Sequence, residues 1–110
     1  MIAHLVLMNL NESAPASLVI DQVMALKDQI PGLLDITGGT SVLSGKSTWE
    51  IGFIMMFTDA EAVTSYQGHP AHVEVGKAIG AYIREMASCD LLSDSIQPSI
   101  SDIYNEKIGS

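Results

Sequence analysis

Apolar residues run almost unbroken from Ile2 to Leu10, and polar Asn11, Glu12 and Ser13 end the run. Alternation puts Ile2, His4, Val6, Met8 and Leu10 on one face and Ala3, Leu5, Leu7 and Asn9 on the other. Both faces are mostly apolar, which predicts a strand covered on both sides. His4 interrupts its face and needs a hydrogen-bond partner there. The commoner fate of such a histidine is a satisfied core residue.

The period then changes. Ala16, Val19, Ile20, Val23, Met24 and Leu26 recur at helical spacing, with Asp21, Gln22, Lys27 and Asp28 turned to water. Ser13 is the predicted cap, Pro15 falls in the first turn, and Pro31-Gly32 is the predicted stop. Residues 33–37 begin a second strand, and Gly38-Gly39 predicts a bend, a bulge or a close approach of ligand or backbone. Residues 44–48 read as a loop that lacks the flanking glycines and the strand-to-helix setting of a phosphate-binding loop. Residues 49–57 give the clearest strand. Trp49, Ile51, Phe53, Met55 and Phe57 share its large face, which fills the core or lines a pocket; Gly52 leaves room on the other face.

Thr58-Asp59-Ala60-Glu61 matches a capping box, and a short helix follows through Ala62, Val63 and Tyr66 to a break at Gly68. Pro70 has no amide hydrogen and a fixed φ, so it suits the first position of a new helix, with His69 as its cap. Apolar spacing extends that helix to about Ala87. Gly76 and Gly80 lie on one face of it, where each costs about 1 kcal/mol against alanine; close packing is the expected reason. Residues 88–92 read as a last short strand with Asp90 in its middle. The order is β-α-β-β-α-β, an α+β, ferredoxin-like, split βαβ arrangement over residues 1–92. Residues 93–110 change character and read as a tail or arm. Helices cover one face of such a sheet, and the other face here is apolar, so pairing of two sheets in a homodimer is expected.

The chain has 110 residues and a net charge of −8, with 47% hydrophobic and 16% charged residues. That is one domain, with more apolar surface than a small core absorbs. The five basic residues are scattered, which argues against nucleic acid or an anionic membrane as partner and against a substrate bearing several phosphates. A single cysteine excludes an internal disulfide; Cys89 sits in an apolar run and is expected to be buried and inert. No basic leader or long apolar segment is present, so a cytoplasmic location is expected.

Candidate chemistry gathers in residues 64–72. Tyr66, His69 and His72 recur every three positions and would point into one volume if the corner stayed near helical. The plain alternative is a helix-start turn with two histidines on a wet surface. Metal binding by His69 and His72 with a carboxylate does not complete a four-ligand site, so neither metal nor cofactor is predicted.

These residues also carry a resemblance. The opening Ile2-Ala3-His4-Leu5-Val6, then Ile30-Pro31-Gly32-Leu33, Phe57-Thr58-Asp59, Tyr66 with His69-Pro70-Ala71-His72, and Asp90 together resemble the stress-responsive A/B barrel (Dabb) family. The likeness covers about residues 1–92. It implies a barrel built by two chains, with a cavity between sheet and helices in each. The best understood enzymatic relatives are plant polyketide cyclases of the olivetolic acid cyclase type, which work without cofactor. By that resemblance Tyr66 and His72 carry the chemistry and Asp90 orients His72. His4 lines the pocket by the same likeness, and His69, Trp49 and Phe53 are further candidates to bind the substrate. Such chemistry needs a base near neutral pH and a donor for the enolate; histidine suits the first role and tyrosine the second. The third strand opens Trp49-Glu50-Ile51, where many relatives have a histidine, and Leu91 follows Asp90 where an aromatic is frequent. The implied functions are a cofactor-free lyase, cyclase or isomerase acting on a small carbonyl compound, or a non-catalytic dimer that binds a small molecule.

Overall fold

Strand β1 (Ile2–Leu10) is hydrogen-bonded along both edges. A computed structural model of the chain, describing residues 1–42 and 49–93, places it second from one edge of a four-stranded antiparallel sheet. In chain order follow α1 (Ala16–Met24), β2 (Leu33–Thr40), β3 (Ile51–Phe57), α2 (Ala60–Gln67), α3 (Pro70–Ile79), a 3-10 turn (Gly80–Tyr82) and β4 (Ile83–Leu92). The sheet order β2-β3-β1-β4 is that of a ferredoxin-like α+β fold.

One face packs on the helices. Val6 and Met8 of β1 and Ile51, Phe53, Met55 and Phe57 of β3 meet Val19 and Val23 of α1, Val63 and Tyr66 of α2 and Ile79 of α3. The opposite face carries Leu5, Leu7, Ile54, Cys89 and Leu91 with no covering layer among the described residues; Ile54 is 44% and Leu91 39% exposed. Cys89 is exposed on that face and not buried, because its strand register pairs it with Leu5, on the side away from the helices.

Local chemistry shifts several boundaries. Ser13 does not cap α1: its φ is +71°, it belongs to the turn that closes with Ala14 N–H on the Asn11 carbonyl, and Pro15 holds the cap position. The regular part of α1 ends at Met24. Tighter turns then carry Leu26 and Ile30 into the core before Gly32, at φ +82°, redirects the chain. Asp59, not Thr58, caps α2, its carboxylate accepting from Ala62 N–H at 2.8 Å. Helix α3 stops at Ile79, not near Ala87. Residues 83–87 keep an apolar pattern that fits a helix, but as strand they extend the pairing of β4 along the whole of β1. Gly76 and Gly80 are not in close packing: among the described residues, no atom from another part of the fold lies within 4 Å of where a Cβ would stand on either. The predicted loop 44–48, and all but the first residue of the tail 93–110, lie outside the described residues. No described helix is long and apolar enough to cross a membrane.

Candidate active site

Between the sheet and α3 lies a cavity of about 280 Å³. Its walls are apolar, from Val6, Met8, Phe53, Ile79 and Ile83 among others, and its polar side chains are those of Tyr66 and His72. Tyr66 is the last buried residue of α2, and Gly68 breaks the helix just beyond. Pro70 then starts α3, so that His72 stands in its first turn, above the tyrosine ring. The two ring centroids are 4.3 Å apart.

The hydrogen bonds assign roles. His72 Nδ1 lies 3.0 Å from the Gln67 main-chain carbonyl. A carbonyl only accepts, so Nδ1 carries the hydrogen and Nε2 keeps the lone pair in the neutral ring. That carbonyl belongs to the last residue of α2, among the groups a helix end leaves without an intrahelical partner. Tyr66 is 5% exposed, and its hydroxyl donates to the Met55 sulfur at 3.8 Å. A thioether is a weak acceptor, easily exchanged for a ligand oxygen. Burial pushes the phenol up to about 12, so it stays protonated at neutral pH and serves as a donor.

Asp90 does not orient His72. It stands directly opposite His4 in the β1–β4 register, and His4 Nδ1 donates to its carboxylate at 2.5 Å. This gives buried His4 the partner its apolar face demanded. The His4 ring lies edge-on to Tyr66, with centroids 5.8 Å apart, and Phe57 packs beside both. His4 therefore backs the tyrosine. His69 faces elsewhere: its Nδ1 accepts from Ala71 N–H at 3.1 Å and caps α3, as the Pro70 position predicts, while its ring borders a groove between α1 and α3. Phe53 lines the cavity, but Trp49 does not. Trp49 precedes β3 and lines a second hollow of about 460 Å³ on the open sheet face, with no titratable side chain among the described residues that line it. Gln67 and Met55 were missed in the sequence. The first acts through a main-chain atom and the second through a sulfur that reads as core, so neither leaves a signal.

The sequence profile described as the stress responsive A/B barrel domain matches residues 2–93. No curated protein matches the chain. A dimeric protein of unknown function with a ferredoxin-like fold from Bacteroides fragilis is 27% identical, with TM-score 0.68 over 82% of this chain and 93% of that one. A Dabb family protein from Mesorhizobium loti is 23% identical, with TM-score 0.69 over 83% and 94%. The hydroxynitrile lyase of Passiflora edulis shares the fold at 12% identity, with TM-score 0.75 over 88% and 96%.

Proposed function

The chain belongs to the stress-responsive A/B barrel family, and on that footing we propose that it is a homodimeric, cofactor-independent acid–base catalyst acting on a small carbonyl compound. The observation that carries this reading is the contact of His72 with Tyr66 on the wall of an apolar cavity, with the Nδ1 position already occupied. His72 Nε2 takes a proton from the carbon beside the substrate carbonyl. The C–H electron pair becomes a carbon–carbon double bond, the carbonyl π pair moves onto the oxygen, and the Tyr66 hydroxyl donates a hydrogen bond to the enolate so formed. The enolate then attacks a second carbonyl carbon, as in a cyclase, or takes the proton back at another position, as in an isomerase. A lyase runs the carbon–carbon step in reverse. The Passiflora edulis protein is an enzyme on the same fold; at its low identity it supports the fold alone.

The dimer rests on the open sheet face, where Ile54 and Leu91 are exposed, and on the dimeric state of the Bacteroides fragilis protein. One observation favours a second reading. Asp90 is bonded to His4, so His72 lacks the carboxylate that strengthens a histidine base. A non-catalytic dimer that only holds an apolar small molecule is consistent with that arrangement.

A thermal-shift screen separates the two, using aromatic and aliphatic ketones, hydroxybenzoates and lactones on wild type, His72→Ala and Tyr66→Phe. For a catalyst, one class stabilises wild type, loses its effect in both variants, and is turned over by wild type. Binding that survives both substitutions, with no turnover, supports the binding dimer.

A further inference from the structure

Helix α3 turns a stripe of His72, Val75, Gly76, Ile79 and Gly80 to the cavity, the i, i+3, i+4, i+7 spacing of one helical face. Gly76 stands in the middle of that stripe. A glycine inside a helix weakens it relative to alanine, so its presence calls for a reason. Three ordinary reasons fail here. The backbone at Gly76 is α-helical, and the described glycine with positive φ is Gly32, so no left-handed conformation requires it. Among the described residues no neighbouring atom from outside the helix comes within 4 Å of a Cβ placed there, so no close packing in the fold requires it. It is not at the end of the helix, which closes at Ile79. What a side chain at Gly76 would take is cavity space.

The charges around the cavity restrict what uses that space. Among the described residues the cations are Lys27, Lys77 and Arg84, besides the N-terminus, and none of these lines it. Lys27 lies 3.5 Å from Asp35, Lys77 3.4 Å from Glu74, and Arg84 3.0 Å from Glu85 and 3.3 Å from Glu50. A carboxylate or phosphate entering the cavity would lose its water with no cation to replace it. The net charge of −8 repels it on approach. The polar side chains of the lining, Tyr66 and His72, offer one donor and one base, enough for a single carbonyl.

We propose that Gly76 is a specificity-determining position, and that the space it leaves holds the apolar body of an uncharged aldehyde or ketone whose carbonyl lies between Tyr66 and His72. This rests on the acid–base reading of that pair and narrows its substrate class. The glycine trades helix stability for room.

Titration calorimetry and thermal melting with acetophenone and with benzoate test it, on wild type, Gly76→Ala, Gly76→Leu and His72→Ala. Wild type is expected to bind acetophenone at least tenfold more tightly than benzoate. Gly76→Leu is expected to weaken acetophenone at least tenfold without lowering the melting temperature of the free protein. Gly76→Ala, the variant least able to disturb folding, is expected to melt roughly 2–8 °C higher than wild type and to bind acetophenone more weakly. Equal affinity for acetophenone in wild type and both Gly76 variants overturns the proposal, as does benzoate binding wild type as tightly as acetophenone. The two readings fail separately. Acetophenone binding that is lost in His72→Ala but kept in the Gly76 variants removes the role of Gly76 and leaves the acid–base site. Binding lost in the Gly76 variants but kept in His72→Ala upholds the apolar pocket and removes the catalytic pair. Wild type binding neither probe removes both.

Discussion

His69 and His72 stand in the same short motif and do different work. His69 supplies an acceptor to the first turn of α3, whereas His72 gives its Nδ1 hydrogen to Gln67 and shares a cavity wall with Tyr66. His69→Ala removes a helix cap, and a loss of about 1 kcal/mol is expected in urea denaturation. The ligand response of the cavity should be unchanged, and loss of that response would show that His69 belongs to the site after all. The motif made Tyr66 and His72 legible before any fold was known, because Pro70 fixes where α3 begins. The partner of Asp90 was not legible. A carboxylate near the end of the last strand is within reach of more than one imidazole, and only the pairing of His4 with Asp90 decides which. Trp49 was placed with Phe53 by alternation, but β3 starts at Ile51, and alternation does not carry past the end of a strand.

Among the elements, the strands β1 and β3 declared themselves because each has a clean period set against polar ends. The start of β4 did not. Tyr82, Ile83 and Met86 fit a helical stripe as well as a strand, and long-range pairing with β1 settles the choice. Gly38 shows which of several local readings wins: the β2–β3 register passes through it unbroken, and the Phe53 ring occupies the place of its Cβ, with the nearest ring carbon 2.3 Å away. The irregularity sits instead between Leu33 and Asp35. Just before it, Gly32 combines φ +82° with a Cβ position 2.6 Å from Ala62 of α2. Gly32→Ala therefore strains the backbone and collides with the helix that carries Tyr66. A loss of about 2–4 kcal/mol is expected in chemical denaturation, from overpacking and backbone strain together. A neutral effect would mean that the junction of β2 with α2 yields more easily than its geometry indicates.

At the scale of the whole molecule, the sheet divides two tasks. Its helix-covered face holds the cavity, and its open face carries Leu5, Leu7, Ile54 and Leu91, the surface assigned to the proposed dimer. Ile54→Lys places a charge in the middle of that open face while leaving the helix side untouched. It is expected to turn a dimer into a folded monomer in analytical ultracentrifugation, and a variant that stays dimeric would move the interface elsewhere. The open face was legible as an apolar excess in the composition. The cavity was expected only from the family resemblance, since the hydrophobic pattern shows which residues turn inward and not where they leave space. The most direct measurement of the chemistry is deuterium uptake at the methyl group of acetophenone in D2O, followed by proton NMR with wild type and with His72→Ala. If His72 is the base, wild type accelerates the exchange and His72→Ala loses about a hundredfold or more of that acceleration while remaining a dimer. Exchange no faster with wild type than in buffer, or equally fast with both proteins, would contradict the assignment of His72 as the base.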